Sequence, residues 1–290
     1  MNESLIYITA DGLRYPLDGK RVVNLDQDGT GLPEIDYITQ KGPFQHGETI
    51  QDYFLQPRII QLTLRRLCKC RDDYWRERQR LINVLRPNRG QGVIRKVLQD
   101  GTKRDIKVYI QQGPSFPTRG NWDETTIQET LRFIAHNPVW YNPVQQTQTY
   151  APVGAPVGTF PITFPFTFES YDTTATITYN GNWIDYPSIV VTGPISNFRI
   201  YNATTDEELR LLYDLSAGRT ITFDLSYGNK TITLDDGTNL IPYISEDSDL
   251  ATFHLEPGSN VIQVSGSGVV SGMTVVVNWY ERYIALGGAA

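Results

Sequence analysis

The sequence predicts a mainly β protein built of two β-sandwich domains, the first carrying one packed helix, and three observations predict it. Strand formers and turn formers are abundant together, with 17 Tyr, 11 Phe and 5 Trp beside 24 Gly and 17 Pro, the mixture that short antiparallel strands joined by tight turns require. The length of 290 residues fits two domains at roughly 100–200 residues each. Charge also divides the chain: residues 1–145 hold 21 Lys+Arg against 17 Asp+Glu, or +4, and residues 146–290 hold 5 against 15, or −10.

In the first half, SLIYITA, IIQLTLRRL, GVIRKVLQ, KRDIKVYIQ and IQETLRFIA alternate or run apolar for strand lengths, with hairpin turns expected at Asp11-Gly12 and Asp100-Gly101. One segment has a helical period. Residues 71–85, RDDYWRERQRLINVL, place Tyr74, Trp75, Arg78, Leu81, Ile82 and Leu85 on one expected face, Asp72 and Asp73 suit the N-terminal dipole, and Pro87 stops the helix.

The second half reads as entirely β. ATITYN, SIVVTG, NFRIYN, ELRLLYD, RTITFDLS, KTITLDD, NLIPYI, NVIQVSG and MTVVVNWYERYI are strand candidates separated by Gly-containing turns, enough for a jelly-roll-like sandwich. Between the halves, the proline-rich stretch 137–168 disfavours a central strand because each proline deletes a ladder donor. Its Phe160, Phe164, Phe166 and Phe168 make it too apolar for a free linker, so an edge strand or strap along one domain is expected. The expected domains are therefore 1–145 and 171–290, joined by a connecting segment at 146–170.

Candidate chemistry is sparse. Cys68 and Cys70 are expected on one face of a strand, but zinc needs four ligands, and His46, His136 and His254 are scattered. No metal or cofactor is expected. Neither a Gly-x-Ser-x-Gly elbow nor a phosphate-binding glycine loop is present, and the paired carboxylates at 206–208 and 235–236 lie beside turns, where acidic residues serve the backbone. The start of the chain shows no basic segment followed by an apolar run, and no stretch approaches the ~18 apolar residues of a membrane-spanning helix, so synthesis in a cytoplasm is expected.

Two surface features stand out. Residues 58–107 carry 15 Lys+Arg and 5 Asp+Glu. Of these, Arg65, Arg66, Arg76, Arg78 and Arg80, with Trp75 among them, are the expected contact residues for neighbouring subunits or partners, because arginine is the favoured cation of protein interfaces. In the second half, Trp183 and Tyr186 lie near turns, where aromatic rings could stack on sugars.

The order of segments carries a family resemblance. GPFQHGETIQDYFLQPRIIQLTL (42–64), the helix, LRPNRGQGVIRKVLQDGTKRDIKVYI (85–110) and LRFIAHNPVWY (131–141) resemble the N-terminal domain of siphophage distal tail proteins. FHLEPGSNVIQVSGSGVVSGMTVVVNWYERYI (253–284) resembles the family's C-terminal sandwich, with Leu255, Pro257, Gly258, Asn260 and Ile262 carrying its Pro-Gly-x-Asn turn. The resemblance implies a structural virion protein: a homo-hexameric ring of N-terminal domains, each a sandwich with a helix and a long hairpin, and galectin-like C-terminal domains projecting outward. It places that ring at the distal end of the tail, between the tail-tube protein and the tail-tip, fibre or baseplate proteins, with DNA passing through unbound. It implies synthesis in the host cytoplasm and no catalytic residues, and the alternative role is that of a carbohydrate-binding or receptor-binding tail protein that recognises the host surface, a glycan included.

Overall fold

A computed structural model describes residues 3–116, 125–151, 171–269 and 272–287. The chain divides into two units, the first comprising residues 1–143 and 283–290 and the second residues 144–282.

The first unit holds β1 (Ser4–Ile8), β2 (Arg14–Pro16), β3 (Val22–Asp28), β4 (Ile35–Gln40), β5 (Thr49–Leu55), β6 (Arg58–Leu67), α1 (Arg71–Val84), β7 (Gly92–Val97), β8 (Lys103–Ser115), β9 (Thr126–Ala135) and β10 (Trp140–Tyr141). Seven of them form an antiparallel sheet in the order β2-β1-β7-β8-β9-β6-β3. The two expected hairpin turns form, with Gly12 at φ 82° and Gly101 at φ 86°, a region that glycine enters without a Cβ penalty. In β6, alternate residues Ile60, Leu62 and Leu64 turn inward to join Tyr7, Ile94, Ile106, Leu131, Phe133 and Trp140 in one core.

The helix runs where its periodicity predicts, but its buried face is rotated from the expected one. Leu81, Val84 and Leu85 are buried, whereas Trp75 is 54% and Ile82 39% exposed. Buried Asp73 helps to set this rotation: its Oδ2 accepts from the Lys69 N–H at 2.8 Å, tying the first turn to the end of β6. That backbone bond is the main reason the Asp73 carboxyl titrates below its ordinary range.

The second unit contains β11 (Gln146–Tyr150), β12 (Tyr171–Tyr179), β13 (Ser188–Thr192), β14 (Ile195–Asn202), β15 (Glu207–Leu215), β16 (Thr220–Asp224), β17 (Thr231–Leu234), β18 (Gly258–Ser267) and β19 (Thr274–Trp279). They make two antiparallel sheets, β11-β19-β13-β16-β17 and β12-β18-β14-β15. Ile189, Val191, Phe223, Val275 and Val277 from one sheet meet Ile177, Phe198, Ile200, Leu209, Ile262 and Val264 from the other in a single core, with the Phe198 and Phe223 rings 5.5 Å apart. This is a sandwich, as expected.

NLIPYI is not a strand. Ile241–Tyr243 form a single 3-10 turn, because Pro242 fixes φ and supplies no ladder donor. Gln146–Tyr150, read from sequence as part of the connecting segment, forms the edge strand β11, paired with β19 from Gln146↔Trp279 to Tyr150↔Val275. The phenylalanines at 160, 164, 166 and 168 lie outside the described residues.

The last residues of the chain return to the first unit, where Tyr283 and Leu286 pack against its core. Arg58, 3% exposed, holds this return in place. Its Nε donates to Pro138 O at 2.8 Å, Nη1 donates to Gly29 O at 2.8 Å and to Gly31 O, and Nη2 donates to Ile284 O at 2.6 Å. Burial lowers its guanidinium to about 10, so it stays charged at neutral pH and each bond is charge-assisted. Position 29 must be glycine, because a Cβ there would stand 1.9 Å from Ile59 O.

Candidate assembly surface

Among the described residues, strands β4 and β5 pair only with each other, from Ile35↔Leu55 to Gln40↔Thr49. Tyr37, Ile38, Phe44, Ile50, Tyr53 and Phe54 are all exposed on this hairpin. An isolated two-stranded hairpin is marginal in water, and a contiguous exposed apolar patch marks an interaction surface. Sequence reading missed these strands because neither face is buried, so IDYITQ and TIQDYFL lack the one-sided alternation that announces a strand.

The basic cluster separates into one buried and several exposed members. Arg66 is 4% exposed and cannot reach a neighbouring chain, which corrects its expected place at the surface. Its Nη2 donates to Glu129 Oε1 at 3.0 Å and its guanidinium lies 4.8 Å from the Tyr15 ring centre. The parity of β6 is the cause: Arg66 continues the inward series of Ile60, Leu62 and Leu64, and Arg65 continues the outward one. Burial raises the Glu129 carboxyl above its ordinary range, against the opposing pull of Arg66.

The other members reach solvent to differing degrees. Arg76 and Arg80, one helical turn apart, have side chains 72% and 54% exposed, with partial neutralisation from Asp73 at 3.2 Å and Glu77 at 3.7 Å. Arg78 is half-buried and lies 4.1 Å from the Phe116 ring centre and 5.4 Å from that of Trp75. The helix thus presents cations beside the exposed Trp75 and Ile82.

In the second unit, Trp183 and Tyr186 are both half-buried. The Trp183 carbonyl accepts from the Tyr179 hydroxyl at 2.5 Å. Tyr186 stands between Tyr227 and His254, with ring centres 6.2 Å away on each side, and Lys230 Nζ lies 3.8 Å over its ring. Tyr227 is 78% exposed, so it is the most accessible ring of this cluster. Asn260, from the Pro-Gly-x-Asn turn, is fully buried; its side chain accepts from Glu256 N at 3.0 Å and donates to Glu256 O at 2.8 Å, while Asn202 donates to its Oδ1 at 3.4 Å. The turn motif is therefore a structural clamp.

Burial lowers the Lys230 ammonium to about 8, against the opposing charges of Asp224 and Glu207. Between that value and the ordinary 10.5, the unfolded chain binds more protons than the folded one. Stability of this unit should therefore rise with pH across that window. NMR titration of the Lys230 side chain is expected to give a midpoint near 8; a midpoint at the ordinary lysine value would show that the amine is not desolvated.

Among the described residues, no group of three His, Cys, Asp or Glu is placed to hold a metal, and both cysteines are free thiols. The fold and surface together define a class: a two-unit antiparallel β protein whose first unit carries an exposed hairpin with no strand partner among the described residues, and a basic helix. Residues 180–283 match the family described as siphovirus-type tail component, C-terminal domain. The whole fold is similar to that of the Dit protein of phage SPP1, described as a paradigm of the hub adsorption apparatus in phages that infect Gram-positive hosts. That match has a TM-score of 0.67 at 15% identity and covers 97% of this chain and 99% of the other. A chain of the phage p2 baseplate in its activated conformation matches with TM-scores of 0.51 in the calcium form and 0.50 in the strontium form, each at 11% identity, covering 96% of this chain and 98% of that one. No curated protein matches the chain significantly. The chain resembles siphophage distal tail proteins in the family match of its second unit and in fold along nearly its whole length, as the order of its segments predicts.

Proposed function

We propose that the protein is the distal hub of a siphophage tail: six copies close a ring through their first units, joining the tail tube to the tail-tip, fibre or baseplate proteins and leaving a channel for DNA. The role is structural, with no bond made or broken. The observation that carries this reading is the β4–β5 hairpin, whose apolar side chains on both faces are left exposed among the described residues. A ring built from one heterologous contact closes only if each copy presents two different complementary patches, and the hairpin and the basic helix supply two. Arg65, Trp75, Arg76, Arg78 and Arg80 are the proposed contact residues of the basic patch. Charge there sets register and orientation more than affinity.

The purified protein, raised in concentration until assembly saturates, is expected to show a mass of six copies in solution and sixfold annuli in negative-stain images. A single-copy mass at all concentrations, with no annulus in the presence of tail-tube protein, would exclude the ring. The exposed Tyr227 beside Tyr186 favours a second role, contact with a host glycan by the second unit, with Trp183 nearby in sequence. Binding to a glycan array that is lost in Tyr227→Ala would support that role, and no binding would remove it.

A further inference from the structure

The register of the hairpin gives its two faces different chemistry. Ile35↔Leu55, Tyr37↔Tyr53 and Thr39↔Ile50 are paired positions and share one face, which carries no charge. Asp36↔Phe54 and Ile38↔Asp52 share the other, where two carboxylates alternate with two apolar side chains. Among the described residues, Asp36 accepts from the Gln56 amide, at 3.2 Å, and Asp52 from the Tyr53 N–H, at 2.8 Å. Neither has an ion-pair partner among the described residues. Asp11 and Glu3 of this unit are paired, with Arg89 and Lys96, each at 2.7 Å, whereas Asp26, Asp28, Glu34 and Glu48 share with Asp36 and Asp52 the lack of an ion pair among the described residues.

Resting on the ring reading, we infer that the Asp36–Ile38–Asp52–Phe54 face of the hairpin lies on the outer face of α1 in a neighbouring copy, its carboxylates against Arg76 and Arg80 and its apolar side chains against Trp75 and Ile82. Both surfaces mix charge with exposed apolar area, and their charges are opposite. Arg76 and Arg80 are one helical turn apart, so a single hairpin face can meet both. The uncharged face is left for an apolar neighbour, making the hairpin a wedge with two dissimilar sides. The carboxylates hold the hairpin to one orientation, because turning it over would set an uncharged face against guanidinium groups and leave Asp36 and Asp52 without cations.

Charge exchange tests this. D36R/D52R and R76E/R80E are each expected to raise the protein concentration needed for half-assembly at least tenfold, as read by sedimentation, while near-UV circular dichroism stays that of the parent. The four-residue combination D36R/D52R/R76E/R80E should recover assembly to within about threefold of the parent. Normal assembly by either pair variant, or loss in both without recovery in the combination, would overturn this contact while leaving the ring in place. A parent chain that never assembles would instead overturn the ring reading itself.

Discussion

Replacing Glu129 with alanine is expected to destabilise the first unit by about 3–5 kcal/mol, the effect of stripping one partner from a buried ion pair. The residue left behind is the reason. Arg66 is 4% exposed and donates to Glu129 Oε1 at 3.0 Å, so its guanidinium would stay inside with Tyr15 as its remaining close neighbour. At that size the substitution consumes much of a typical domain's stability of about 5–15 kcal/mol, and the urea midpoint should fall by a large fraction. The double variant R66M/E129L provides the contrast: with both charges gone and volume roughly kept, it should lie close to the parent or above it. A small effect of Glu129→Ala would mean that water reaches Arg66 in the folded protein.

Arg58→Met is the second large effect expected, at least about 3 kcal/mol. It removes four charge-assisted bonds at once and leaves the carbonyls of Gly29, Gly31, Pro138 and Ile284 to find other donors or stay unpaired. Three of these acceptors belong to segments far apart in sequence, so the loss should loosen the packing of Tyr283 and Leu286 on the core. Limited proteolysis at the C-terminal segment, together with a lowered thermal midpoint, would register it. A chain ending at Arg282 should show a similar midpoint, because it deletes the Ile284 acceptor and both packed side chains. If the truncated chain were as stable as the parent, the return of the C-terminus would contribute little.

Where burial imposes a period, the sequence was legible. RTITFDL and IIQLTLRRL alternate because one face of β16 and of β6 is in a core, and the helix at 71–84 shows its ends through Asp72, Asp73 and Pro87. The hairpin β4–β5 was hidden for the opposite reason, since both faces meet solvent in the single chain and no periodic signal arises. β11 was hidden too, as Gln146–Tyr150 is mostly polar and lies among prolines. For the assembly surface, composition located the basic segment but did not separate Arg66 from Arg65. Strand parity could have done so, because Ile60, Leu62 and Leu64 fix which side of β6 faces the core. The acidic face of the hairpin depends on the pairing of Asp36 with Phe54 and of Ile38 with Asp52, a register that only the folded strands define. The helix face was misassigned because Trp75 and Ile82 are apolar yet exposed, and periodicity alone does not separate them from core positions.

The path of the chain also has a consequence for synthesis. Because Ile284 supplies one of the acceptors of Arg58 and Tyr283 packs against the same core, the first unit is completed only by residues made after the second. The sandwich between residues 144 and 282 is translated, and can fold, while its predecessor still waits for its closing residues.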